Sequence, residues 1–297
     1  MSAAEFVNLL ISAILLAGIY AVMSLGMTII YGVMKIINLA HPGIMMLGAY
    51  FAYEWFERTG LNPIIAALLS VPVFFIIGMG IHWTLVRRLP PSDQPTLPSL
   101  LLLFGLWLVL QNIGYLVWGN TDRAINTDLT LSIIRLGPLL IPGVRAVVFL
   151  LALASLIALE ITLNRTWFGR AIRALTQNRY AGQLVGINTS RTARVAFGLG
   201  IAFAGFAGAL LANLYSFNPD FGRSFLIRSF VIIVLGGLES FSGVALGALL
   251  VAMVETFSIL VVPAAYQPAI SFALLVVALV AIPGGLGRLF SRRQRLA

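Results

Sequence analysis

Long apolar stretches recur along nearly the whole chain, separated by short polar joints. A membrane span takes ~20 apolar residues. On that scale spans fall at residues 6–31, 38–56, 61–86, 99–118, 141–163 and 195–215. Three further stretches follow at 225–238, 244–262 and 267–282. The first of these is short, and Gly236, Gly237 and Gly243 interrupt the pattern after it. It reads as a short or re-entrant helix packed among the others, because irregular backbone at membrane depth must be covered by protein or water. The pattern predicts an all-α, polytopic membrane protein with eight or nine transmembrane or re-entrant helices, built as one domain over residues 1–297. The first stretch lacks a basic leader and a small-residue cleavage site, so it reads as a retained helix.

One long polar stretch stands apart. Residues 164–190 carry Arg165, Arg170, Arg173 and Arg179, with Arg191 and Arg194 just after, and no acid occurs from 161 to 219. A basic loop between membrane helices belongs on the cytoplasmic side. Residues 170–184 contain no Pro and one Gly, and Ala171, Ala174, Leu175 and Ala181 recur at helical spacing. This predicts a short cytoplasmic helix with one small, apolar face, bounded by Gly169 and Gly186.

The chain is 60% hydrophobic and 10% charged, with a net charge of +9. Because the charges sit at span ends, they indicate topology and lipid headgroups rather than nucleic acid. Placing Lys35, Arg87, Arg88, the Arg165–Arg194 loop and the Arg288–Arg295 tail inside accounts for 13 of the 19 basic residues. Glu54, Glu57, Asp122, Asp128 and Asp220 then fall outside. The N-terminus is extracytoplasmic on this reading, which favours nine passes.

Small residues decide how such helices meet. Gly198, Gly200, Ala204, Gly205, Gly208 and Ala209 line the sixth span, and Gly243 and Gly247 continue a similar face later. Lipid supplies no hydrophobic drive between helices, so close packing must. Residues 31–52 and 233–251 also echo one another: an apolar run, a polar break, then a helix with Gly-Ala. Such echoes accompany duplicated halves in transporters, with the path between them.

The motifs of several chemistries are missing. The sequence holds no phosphate-binding G-x-x-x-x-G-K-[ST], no H-E-x-x-H and no G-x-S-x-G. With no Cys, and only His41 and His82 far apart, neither a metal nor a cofactor is expected. Three polar features remain at membrane depth. Asn38 and His41 open the second span, as a helix cap with an interfacial His or as a polar break beside a path. Glu239 and Ser240 sit at the glycine break, as a surface turn or as part of that path. Glu255 lies well inside a span, where a carboxylate costs a few kcal/mol unless it is paired or faces water. The candidate path residues are therefore Asn38, His41, Gly236, Gly237, Ser240, Gly243 and Glu255.

Here the residues carry a resemblance. W-F-G-R-A-I-R-A-L-T-Q-N-R-Y-A-G-Q-L-V-G-I-N, I-N-L-A-H after the first span, Q-N at Gln111-Asn112, V-L-G-G-L-E-S-F-S-G-V-A-L-G-A-L and the closing V-A-I-P-G-G-L-G-R occur in order. From Gly18 to Arg288 the chain resembles branched-chain amino acid ABC importer permeases of the LivH type. Pro42 stands where such permeases often have Gly, and Glu239-Ser240-Phe241 is bulkier than their usual Gly and Ser. The resemblance implies a membrane subunit without its own ATPase site. It implies a second, LivM-like permease, two cytoplasmic ABC ATPase subunits and a periplasmic substrate-binding protein, in a bacterial inner membrane. The ATPase-coupling residues on this reading are Gly169, Arg170, Ala171, Arg173, Ala174, Leu175, Asn178, Ala181, Leu184 and Gly186. The rival reading is a stand-alone secondary carrier or channel for a small polar solute. A single intramembrane acid and an ordered Arg loop favour the importer.

Overall fold

A computed structural model describes residues 3–89, 96–137, 139–263 and 266–281. The Arg288–Arg295 tail, most of the closing glycine motif and positions 90–95 of the Pro-rich loop lie outside the described residues. Helix α1 (Ala3–Met34, 32 residues) ends at Lys35, whose φ of 57° turns the chain. Helix α2 (His41–Thr59) ends on Gly60, whose N–H donates back to the Phe56 carbonyl. Helix α3 (Pro63–Thr84) begins where the Asn62 side chain accepts from the Ile64 N–H, with Pro63 pre-set for a first helical turn. A single 3₁₀ turn, Val86–Arg88, extends it. Helix α4 (Thr96–Trp118) follows.

The polar loop after α4 holds structure that its charges hid. A one-turn helix, α5 (Asp128–Leu131), leads into strands β1 (Ile133–Leu136) and β2 (Leu139–Pro142). They pair antiparallel, with Ile133 opposite Pro142. The remaining helices are α6 (Gly143–Arg165), α7 (Trp167–Gln177), α8 (Arg179–Leu184), α9 (Thr189–Leu211), α10 (Phe221–Gly236), α11 (Phe241–Ser258) and α12 (Gln267–Ala281). The chain is thus overwhelmingly helical, with this one hairpin among the described residues. Six helices there are long and apolar enough to cross a membrane: α1, α3 with its turn, α4, α6, α9 and α11. Helices α10 and α12 are shorter, and α2 carries Glu54, Glu57 and Arg58.

The helices fall into two compact groups. One holds Gly26–Ile125 and Ser155–Arg223; the other holds 3–25, 126–154 and 224–281. In the Gly26–Ile125 group, α9 is the core: every residue from Gly200 to Asn213 except Phe203 is buried. Helices α2 and α3 lie against it. A Cβ added at Gly78 of α3 would come 2.9 Å from the Gly198 Cα, and one added at Gly48 of α2 would land in the backbone of Gly205. Only glycine permits such contact, and the gain is dispersion between backbones. Helix α4 presents Leu101 and Leu116 outward, as a lipid-facing helix does.

In the same group, an antiparallel bridge joins Arg123 to Phe217 with two 2.9 Å hydrogen bonds. The Arg123 guanidinium also donates to the Tyr53 hydroxyl and the Trp118 carbonyl, each at 3.1 Å. Asp220 accepts from Gln111 and Tyr115, which gives the Gln111-Asn112 motif a concrete role.

Candidate functional site

The basic loop folds as two short helices rather than one. Thr166 caps α7, accepting from the Gly169 N–H at 3.0 Å. Asn178 stops that helix with extended backbone (φ −155°) and caps α8, accepting from the Ala181 N–H at 2.9 Å. Gly186, with φ 82°, turns the chain toward α9. Gly169 is not a hinge: it lies inside α7, where a Cβ would strike the backbone of Thr162 and Leu163.

The faces differ from the sequence expectation. Ala171 and Leu175, named among the coupling residues, are 2% and 1% exposed, buried within this chain together with Ile172. Gly182 of α8 folds against the Leu175 side chain. Ala174 is half-buried, and Arg173 is held by the Asn164 side chain. The exposed residues include Trp167, Arg170, Gln177, Arg179, Tyr180, Ala181, Gln183, Leu184 and Val185. Tyr180, Leu184 and Val185 are 70%, 72% and 77% exposed. The amphipathic pattern was real, but its small, apolar side fastens the loop to its own chain.

The glycine break lies in the other group. Gly236 ends α10, Gly237 takes φ 98°, and Ser240 caps α11 by accepting from the Gly243 N–H at 3.1 Å. At Gly236 and Gly243 the backbones of the two helices touch: a Cβ on Gly236 would lie 2.6 Å from the Gly243 carbonyl carbon. Glu239 is exposed at the turn. The break is therefore a tight corner that needs one left-handed residue and two positions without a side chain.

Glu255 is 1% exposed and fully engaged. The Arg228 Nε of α10 donates to its two oxygens at 3.0 and 3.2 Å. Tyr20 of α1 donates to it at 2.5 Å, and Ser271 of α12 donates as well. One carboxylate thus ties four helices. Its burial is compensated by an ion pair and two hydroxyl donors, as a buried charge requires. Sequence reasoning singled out Glu255 but missed Arg228, the one basic residue in the apolar part of α10. A lone Arg in one apolar stretch and a lone Glu in the next was the available signal.

Asn38 and His41 belong to the Gly26–Ile125 group, and both are fully buried. Asn38 is not the helix cap. Its Oδ1 accepts from the Ala40 N–H at 3.1 Å, shaping the 35–40 linker, and Ala40 precedes α2. The Asn38 Nδ2 is buried without a hydrogen-bond partner. Among the described residues no three metal-ligating side chains cluster.

Residues 9–279 match the family described as branched-chain amino acid transport system / permease component. The LivH high-affinity branched-chain amino acid permease protein of Salmonella typhimurium is 30% identical over 295 residues, spanning 95% of this chain and 96% of the relative. LivH of Escherichia coli K12 is 29% identical over the same shares. BraD of Pseudomonas aeruginosa, also a high-affinity branched-chain amino acid permease protein, is 28% identical over 96% of each chain. No solved structure matches the chain.

Proposed function

The chain belongs to the branched-chain amino acid transport permease family, and from that premise we propose that it is the membrane-spanning subunit of an ABC importer for branched-chain or related amino acids. It works in a bacterial inner membrane with a second, LivM-like permease, two cytoplasmic ABC ATPase subunits and a periplasmic substrate-binding protein. Residues 1–297 act as one permease domain. Helices α2, α10 and α12 count as passes beside the six apolar ones, giving nine, with the N-terminus outside and α7–α8 inside. Similarity that covers 95–96% of this chain and 96% of its relatives carries the transport reading.

The coupling role rests on the exposed face of α7–α8. Its sequence has no phosphate-binding motif, yet uptake against a gradient needs an energy source, so force must enter through a contact. Tyr180, Leu184 and Val185 stand out from the protein, and Arg170 and Arg179 are exposed as well. That is an aromatic and aliphatic knob with a basic rim, suited to a groove in a partner. Ala171 and Leu175 anchor the knob from behind, while Asn178 sets the angle between its two helices. The candidate path residues Asn38, His41, Gly236, Gly237, Ser240, Gly243 and Glu255 supply the polar and tight points along the helices.

Leu184→Glu and Tyr180→Asp change exposed side chains and leave folding intact. Each should release the ATPase subunits from the purified complex or uncouple hydrolysis from uptake. Wild-type ATPase retention and uptake in both variants overturn the coupling assignment. Uptake by this chain without any ATPase would instead favour the carrier.

A further inference from the structure

Helices α3 and α9 run antiparallel. Phe74 lies against Gly205, Gly78 against Gly198, and the His82 ring stands 5.9 Å from that of Phe197. Continuing one turn brings His82, near the end of α3, level with Arg194, near the start of α9. Arg87 follows in the 3₁₀ turn, and Arg194 and Arg87 are the charged groups that act on His82 electrostatically.

Two buried nitrogens of this cluster lack a hydrogen-bond partner among the described residues. His82 is 3% exposed, and its Nδ1 makes no hydrogen bond. The Arg194 Nε is likewise buried without a partner. Neither Arg87 nor Arg194 forms an ion pair among the described residues. An unpaired buried donor costs about 1–3 kcal/mol. An Arg nitrogen can only donate, and an imidazole can present a donor at Nδ1. Both are answered by an anion with several acceptor oxygens, which a phosphate provides in the geometry that guanidinium favours.

The location indicates where the phosphate comes from. Trp83, beside His82, is 55% exposed, and an exposed Trp at a span end marks the headgroup level. Basic residues clustered between membrane helices at that level bind lipid headgroups. We propose that His82, Arg87 and Arg194 form a binding site for a phosphate group, supplied by an anionic phospholipid at the membrane surface. The proposal rests on the membrane reading of α3 and α9 and is independent of the transported solute.

The test uses the purified full complex, delipidated in detergent. Phosphatidylglycerol, phosphatidylcholine and inorganic phosphate are added separately, and bound lipid is counted by native mass spectrometry. Wild type should retain phosphatidylglycerol over phosphatidylcholine. Arg87→Gln changes an exposed side chain and should weaken that retention about fivefold, the effect of ~1 kcal/mol per basic residue near the headgroups. Arg194→Gln should weaken it at least as much, while Arg145→Gln in α6 leaves it unchanged. Equal retention by wild type, Arg87→Gln and Arg194→Gln overturns the site. Displacement of the lipid by millimolar inorganic phosphate overturns the lipid as its source. No arm measures uptake, so failure here is separate from failure of the transport reading.

Discussion

Helices around α9 are held by shape, and helices around α11 by charge. From Val195 to Asn213 no side chain carries a charge, and contact is made by backbone against backbone at Gly48–Gly205 and Gly78–Gly198. The stabilisation is spread over many small dispersion terms, each forfeited if a helix is pushed outward. At α11 four helices converge on the Glu255 carboxylate. There the stabilisation is concentrated, and one lost partner leaves a buried charge. Distributed packing should degrade by steps, whereas the carboxylate hub should fail at once.

The largest expected effect attacks the hub. Arg228→Ala leaves Glu255 buried beside hydroxyls alone and should cost about 3–5 kcal/mol, read as loss of folded protein in a thermal melt of the purified complex. Replacing both partners, Arg228→Met with Glu255→Leu, should restore most of that stability. If the double variant also restores uptake, the hub is a clamp and not part of the path.

Gly48→Val tests the other region. A side chain there meets the Gly205 backbone, which cannot step aside, so about 1–3 kcal/mol should be lost through overpacking. Unchanged melting would mean that α2 and α9 slide apart freely. Gly237→Ala comes third, at about 1–2 kcal/mol for a Cβ in the left-handed region, with Ala248→Gly as a comparison inside α11. Arg165→Gln should be smallest, within ~0.5 kcal/mol, because Arg165 is exposed and lies outside the α7–α8 knob.

Much of the helical layout was legible because a membrane span writes itself as a long apolar run. The glycine break was legible too, since Gly236, Gly237 and Gly243 interrupt such a run. The faces of α7 were not. An apolar stripe such as Ala171 and Leu175 reports that a helix buries one side, not whether its own chain or another covers it. Asn178 was in view as a site residue, yet its power to end one helix and cap the next depends on a backbone angle that the residue type only permits. The hairpin of Ile133–Leu136 and Leu139–Pro142 hid in a loop judged by its charges. Arg228 hid for the opposite reason: a lone cation in an apolar helix looks like noise until the partner carboxylate is seen beside it.

Helix α1 has a consequence of its own. At 1.5 Å per residue its 32 residues make a rod of ~48 Å, against a hydrocarbon layer of ~30 Å. The rod fits by leaning over or by running out past the acyl chains. Tyr20, which reaches Glu255, lies near its middle, so the lean of the rod and the seat of that hydroxyl move together. Where the rod leans, a bilayer of another thickness would alter the lean and, with it, the seat of the hydroxyl that serves Glu255.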